Sequence, residues 1–473
     1  MSKTFLINVG SLSASRLFLA ASQVLVLPFV ARFLSPADFG DMALAMGVVV
    51  FAQLLSDAGL GRSLIRQPKL DPAEWNSVFW MLAGVGAALM LVLVAVAPVW
   101  AALFDRARLL PLVATLAVLP LLGALAAVPT ARMERDDRFP ALSLMRTVAG
   151  LAGIAVVLVS AAMGAGVWAL VAQQVVLAAT QTAMAAAMSR FRPGAPRGFT
   201  PLGHHLRFAA DNIGTSLLFT GQTQAPVMIL GYILGAAPLG LFSMAQRFLT
   251  LPRTGLGGPI AQVVFVRMAA RQADPGAVAD LYLASCRVLA FLVIVPLAVL
   301  AGAGETLFPF LLSDRWAAVA PVFALAAPGI AIEIATSTAG VMFQALDRTR
   351  LRLRMAVERM VLRTLAVAAA APFGLEAVAL AITLFSLAYT PRYLAWANRA
   401  APIAQTAIWR AMAAPAAAGG LAWGALWIAA GRLDGAQTLA ATVAVLALAW
   451  SVLVLLDRRN LRAAMSALKG GFS

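Results

Sequence analysis

Nine arginines, Arg16, Arg32, Arg146, Arg247, Arg253, Arg287, Arg359, Arg363 and Arg392, fall inside stretches that are otherwise apolar enough to lie in a bilayer. A guanidinium held centrally there costs at least about 2.5–3.5 kcal/mol, so it calls for a carboxylate, water or an anionic ligand. Acids in the same stretches are fewer, chiefly Asp57, Asp211, Glu333 and Glu358, with Glu376 near an end. The apolar interior is therefore net positive. The chemistry open to it is anion recognition, and phosphate suits it. Arginine offers a planar fork of donors matched to phosphate oxygens and keeps its proton at any physiological pH.

Helical spacing sorts these residues into faces. Ser13, Arg16 and Gln23 share one, Asp211, Thr215 and Gln222 another, and Arg352, Arg359 and Arg363 a third. Gln173, Gln174 and Gln181 could hydrogen-bond to sugar hydroxyls, although bonding between helices is the preferred reading for glutamines. Arg32 and Arg392, near helix ends, are expected to snorkel, and Arg287 from the start of its helix. Arg16 lies about 15 Å into its helix, too deep for easy snorkelling, and is expected to face an aqueous cavity. The candidate ligand contacts are Arg16, Gln23, Arg146, Gln174, Asp211, Gln222, Arg247, Arg253, Arg359 and Arg363. Asp57, Glu333 and Glu358 are candidates for coupling to an ion gradient. Simple ion pairs are at least as well favoured: Glu358 with Arg354 or Arg363, and Asp57 with Arg62.

The elements that position these residues are membrane helices. Of 473 residues, 62% are hydrophobic and 12% charged, and the mean hydropathy is +0.88, outside the range of soluble domains. Runs of about 20 apolar residues recur throughout, each able to cross roughly 30 Å of hydrocarbon as a helix. The expected architecture is an all-α polytopic membrane protein with about fourteen transmembrane helices, near 6–34, 40–66, 76–104, 109–131, 141–164, 166–189, 207–234, 239–266, 281–303, 316–345, 355–373, 374–398, 407–430 and 437–456. Residues 1–190 form a six-helix lobe, 191–206 a cytoplasmic linker, 207–400 a second six-helix lobe, and 401–473 two further helices and a basic amphipathic tail suited to anionic lipid. With both termini in the cytoplasm, basic residues concentrate in the inner loops. The outer loops keep only Arg106, Arg108, Arg315 and Arg432.

The halves repeat a motif. Leu34-Ser-Pro-Ala-Asp-Phe-Gly-Asp-Met-Ala-Leu-Ala45 returns 200 residues later as Leu234-Gly-Ala-Ala-Pro-Leu-Gly-Leu-Phe-Ser-Met-Ala245, each time joining two apolar helices. Downstream, Asp57-Ala-Gly-Leu-Gly61 and Gly255-Leu-Gly-Gly-Pro259, the latter after Pro252, are expected to interrupt the second helix of each pair. Interrupted helices at matching places of two repeats point to a transporter's binding site. The sequence has no phosphate-binding Gly-rich loop and no Cys/His cluster of metal-ligand spacing, so no cofactor or metal is expected. Cys286 is the one cysteine. The net charge of +16 follows topology and does not suggest nucleic acid as a partner.

Several stretches resemble the polysaccharide repeat-unit flippases, the Wzx-like branch of the multidrug/oligosaccharidyl-lipid/polysaccharide exporter superfamily. They are Ala31-Arg-Phe-Leu-Ser-Pro-Ala-Asp-Phe-Gly40, Asp57-Ala-Gly-Leu-Gly-Arg62, Gly166-Val-Trp-Ala-Leu-Val-Ala-Gln-Gln174, and Leu230-Gly-Tyr-Ile-Leu-Gly-Ala-Ala-Pro-Leu-Gly-Leu-Phe-Ser-Met-Ala-Gln-Arg247 followed by Leu251-Pro252. The resemblance implies translocation of undecaprenyl-pyrophosphate-linked oligosaccharides across a bacterial inner membrane, for O-antigen, capsule or exopolysaccharide assembly. It implies alternating access of two lobes around a cationic cavity, with Arg16 and Arg247 as cavity members. A lipid-linked oligosaccharide substrate, membrane lipid, a polysaccharide polymerase and a chain-length regulator are the partners it implies. A lipid II flippase and a drug exporter of the same superfamily are the alternatives. A glycan polymerase, ligase or glycosyltransferase would need a sizeable outer loop with catalytic residues, which the expected spans leave no room for.

Overall fold

A computed structural model describes residues 22, 25–57, 60–65, 71–196 and 203–469, and its regular structure there is entirely helical. Apolar backbone without access to water must satisfy its hydrogen bonds within each segment, and the helix does this. In chain order the helices are α1 (25–33), α2 (Pro36–Asp57), α3 (Leu60–Ile65), α4 (Pro72–Leu103), α5 (Leu109–Leu116), α6 (Val118–Arg135), α7 (Phe139–Ala162), α8 (Val167–Met188), α9 (Gly203–Leu234) and α10 (Ala236–Pro252). They continue as α11 (Gly258–Ala270), α12 (Pro275–Leu312), α13 (Val319–Ala335), α14 (Ala339–Ala345), α15 (Thr349–Ala370), α16 (Leu375–Asn398), α17 (Gln405–Ala430), α18 (Gly435–Leu456) and α19 (Arg458–Lys469). Their starts carry local signals. Asp71 and Asp274 cap α4 and α12 through the amides of Ala73 and Gly276, and Asp434 with Gln437 forms a reciprocal capping box on α18.

Eleven helices among the described residues are long and apolar enough to cross a membrane. The other three of the fourteen expected spans have separate explanations. The first lies mostly outside the described residues. The eighth is divided between α10 and α11, and the eleventh, α15, carries too many charges to pass as apolar.

The chain divides into two compact units, Met1–Gly240 and Leu241–Ser473, so the division falls inside α10 rather than in the 191–206 linker. In the first unit Trp75, Phe79, Leu82, Val128 and Phe191 form a core under α4 and α6. The start of the linker is fastened there: the Trp80 indole donates to the Gly194 carbonyl at 2.8 Å, and the Gly194 amide donates to Asn76 at 3.1 Å. The second unit is built on α12, whose 38 residues extend about 57 Å. α13, α17, α18 and α19 all pack against it.

The repetition read in the sequence has structural counterparts. Ser35 and Asp38 cap α2 reciprocally, the Ser35 amide donating to Asp38 at 2.9 Å and the Asp38 amide to the Ser35 hydroxyl at 3.2 Å. Within the first unit the two hairpins meet at their glycines. A methyl group on Gly40 would overlap the Ala236 carbonyl, and one on Gly240 would overlap the Pro36 carbonyl. Each position therefore touches the residue 200 away from its partner's contact, as in a two-fold interface. Two further pairs recur. Asp137 and Asp347 both adopt left-handed backbone, φ 54° and 53°, and the next amide in each, Arg138 and Arg348, closes back to the carbonyl of Met133 or Phe343. Gly166 and Gly374 precede α8 and α16 with positive φ.

The basic tail forms α19. Leu461 and Ala464 are buried on the side facing α12, and Arg267 donates to the Ala467 carbonyl at 3.1 Å. Arg458, Arg459 and Arg462 stay exposed.

Candidate functional site

Two helix interruptions in the second unit frame the candidate site. After Pro252 the chain makes a π-helical turn, Arg253–Gly257, before α11 begins, which is the break expected from Gly255–Pro259. In the first half α2 ends at Asp57 and α3 starts at Leu60, with 58–59 outside the described residues. The second interruption was not expected. α13 stops at Thr336-Ser-Thr338, where Thr336 and Ser337 hydroxyls donate to the carbonyls of Ile332 and Ile334 at 2.9 and 2.8 Å. The Tyr282 hydroxyl donates to the Thr336 carbonyl at 3.3 Å, and Ser285 bonds Thr338 at 2.7 Å, tying the broken turn to α12. A methyl on Gly257 would stand 4.0 Å from Ile334, so the two breaks are neighbours.

Glu333 sits one turn before the second break. Gly329, one turn earlier, lets α16 come close: a Cβ there would stand 2.5 Å from the Thr383 Cα. That approach brings Ser386 to Glu333, whose Oε1 accepts from the Ser386 hydroxyl at 2.7 Å. From α15, Arg363 Nη1 lies 3.0 and 2.9 Å from Oε1 and Oε2, and Arg359 Nη2 lies 2.5 Å from Oε2. Arg253 is exposed on the π turn, electrostatically coupled to Glu333, Arg359 and Arg363, and has no ion pair of its own among the described residues. Two guanidiniums thus share one carboxylate, leaving a positive charge in excess, and Arg253 adds to it.

A small cleft opens beside this cluster, lined by Glu333, Arg359, Thr336 and an α16 face of Phe385, Ser386, Tyr389, Thr390 and Tyr393. Guanidinium donors of Arg359 border it on one side, and on the other the hydroxyls of Thr336, Tyr389 and Thr390, which donate to the carbonyls of Ile332, Met355 and Ser386. The side chains of Glu333, Arg359 and Arg363 are 10%, 22% and 15% exposed, so the charges are sheltered yet reachable.

Of the residues singled out in the sequence, the structure brings Arg253, Glu333, Arg359 and Arg363 together. Arg16 and Gln23 lie outside the described residues, as do the side chains of Asp57, Arg62 and Asp211. Arg146 is 3.9 Å from Glu134, Gln174 and Gln222 are half-buried on α8 and α9, and Arg247 is exposed on α10. Glu358 pairs with neither Arg354 nor Arg363. Its partner is Arg392 of α16, with Oε2 accepting from Nη2 at 3.0 Å. Glu358 and Arg363 are five residues apart, which turns them to different sides of α15. Arg392 therefore has a carboxylate partner and does not stand alone as a snorkelling cation.

Sequence reasoning missed Ser386, Tyr389, Thr390 and Tyr393, although their i, i+3, i+4, i+7 spacing in an apolar helix is a legible polar stripe. It also missed Asp41, a fully buried acid whose Oδ1 accepts from Arg106 at 2.7 Å.

The profile of a family described as polysaccharide biosynthesis protein matches residues 29–321. The chain is similar to the succinoglycan biosynthesis transport protein ExoT of Rhizobium meliloti (strain 1021), 27% identical over 331 residues covering 69% of this chain and 66% of that one. It is also similar to the lipopolysaccharide biosynthesis protein WzxC of Escherichia coli (strain K12), 23% identical over 303 residues covering 63% and 61%. In both comparisons the match spans less than two thirds of the relative's length. Among solved structures, an inward closed conformation of the lipid II flippase MurJ superposes with a TM-score of 0.77 at 12% identity, over 97% of this chain and 99% of that one. An inward-facing multidrug resistance MATE family transporter of the MOP superfamily gives 0.59 at 15%, over 82% and 97%. At such identities the likeness concerns the fold alone.

Proposed function

Because the chain belongs to the polysaccharide biosynthesis protein family, we propose that it is a flippase moving lipid-linked oligosaccharide repeat units across a bacterial inner membrane. The observation that carries this reading is the cluster of Arg253, Arg359 and Arg363 around the single carboxylate of Glu333, beside a hydroxyl-lined cleft. A substrate headed by a diphosphate and sugars cannot cross hydrocarbon unaided, while its lipid tail need not leave it. The arginines supply the fork geometry for the phosphates, and the cleft hydroxylic groups suit the adjoining sugar. Transport proceeds by alternating access of the two duplicated halves, 1–190 and 207–400, with states of similar energy. The relatives' succinoglycan and lipopolysaccharide pathways support a repeat unit destined for an extracellular polysaccharide, handed on to a polymerase and a chain-length regulator.

Purified protein in proteoliposomes, loaded with undecaprenyl-pyrophosphate oligosaccharide, tests the activity. The double variant Arg359→Gln, Arg363→Gln is expected to lower the flipping rate about ten- to a hundredfold, because each lost charged hydrogen bond weakens recognition by roughly a factor of ten or more. Arg359→Lys keeps the charge but loses the fork, and is expected to fall between that variant and the unaltered protein. Undiminished flipping by a stably folded double variant would sink the proposal. The orientation has its own test: reporters fused after Arg190 and Ser473 are expected to read cytoplasm, and one at Ala236 the outside.

A further inference from the structure

We propose that Glu333 is a resident counter-anion that occupies the arginine fork in the empty protein and is displaced when the phosphate arrives. The inference rests on the anion-site reading above and concerns how that site lets go of its ligand. One terminal nitrogen of each arginine, Nη2 of Arg359 and Nη1 of Arg363, is already held by Glu333 at 2.5, 2.9 and 3.0 Å. A carboxylate and a phosphate oxygen pair present the same geometry to guanidinium, so the two compete for one set of donors.

Three features separate this role from that of a structural pair. The carboxylate is one of the walls of the cleft. It pairs with two cations and lies near a third, so its loss leaves the site more positive. The Ser386 hydroxyl, 2.7 Å from Oε1 and 2.8 Å from the Ile382 carbonyl, gives the carboxylate a neutral donor that can retain it after the arginines turn to the ligand. The consequence is a lowered apparent affinity. The ligand must pay to evict an anion that returns as it leaves, which suits a site that binds on one side of the membrane and releases on the other.

Inorganic pyrophosphate, titrated calorimetrically against the purified full chain, reads binding without transport. Glu333→Gln keeps the shape and an acceptor for Ser386 while removing the charge, and is expected to bind pyrophosphate at least about tenfold more tightly and to flip lipid-linked oligosaccharide more slowly. A stable Glu333→Gln protein that binds pyrophosphate no more tightly than the unaltered chain overturns the inference. If Glu333→Gln does not fold, Glu333→Asp serves: its shorter arm cannot hold both arginines, and it too is expected to tighten binding, with unchanged affinity counting against the idea. The double variant Arg359→Gln, Arg363→Gln separates the two layers. Retained pyrophosphate binding there refutes the anion site itself, whereas lost binding there with unchanged affinity in Glu333→Gln refutes the counter-anion alone. An acid that couples an ion gradient gives a different signature, loss of gradient dependence with no gain in pyrophosphate affinity, and that result also overturns the inference.

Discussion

Gly40→Leu and Gly240→Leu each abolish transport and lower the thermal unfolding temperature of the detergent-solubilised protein; this is the expected result with the largest structural cause. Overfilling a packed site ordinarily costs about 1–3 kcal/mol because side chains rotate away. Here the atoms in the way are main-chain carbonyls of Pro36 and Ala236, which have no rotamer to change. Even Gly40→Ala should cost at least the upper end of that range. The two contacts share one interface, so the double variant Gly40→Ala, Gly240→Ala should lose less than the two single losses combined, once the hairpins have already parted. Full stability of Gly40→Ala would mean that the hairpins do not meet in this way.

Arg106→Ala is expected to destabilise the protein by about 3–5 kcal/mol, since it leaves the Asp41 carboxylate buried without its cation. Asp41 begins from a deficit: its Oδ2 is buried and accepts no hydrogen bond. The pair is nevertheless replaceable. Asp41→Leu with Arg106→Met should recover most of the loss, because a buried ion pair contributes little net stability over a well-packed apolar one. Thermal unfolding of the three proteins checks this, and an Arg106→Ala protein as stable as the parent would show that the carboxylate is not buried.

How far such features can be read from a chain depends on whether they are local. The hairpins were legible because Pro, Gly and helix caps act within a few residues, and the 200-residue spacing shows the copies without any knowledge of packing. That Gly40 meets Ala236 was not, since nothing along the chain says which surfaces touch. The same holds at the cation cluster. Arg359, Arg363 and Glu333 are each conspicuous as charges in apolar helices, but the sequence alone points them to separate tasks, ligand contact and ion coupling. Their union depends on Gly329 admitting α16 against α13, a tertiary approach with no mark in the local pattern. Asp41 escaped for another reason. Beside Asp38 at the start of a helix it reads as a favourable first-turn acid, and its partner lies 65 residues away in a loop. Glu358 shows the converse error: spacing along one helix offered partners, while the neighbouring helix supplied a better one.

The fastening of Gly194 to Trp80 and Asn76 fixes where the chain leaves the first core. A tag or a few extra residues inserted between Arg190 and Gly194 would have to break that anchor, whereas the same insertion just after Pro196 leaves it in place. The peptide that seals Trp75 and Phe79 thus belongs to the unit it covers, and a truncation before Gly194 would uncover them.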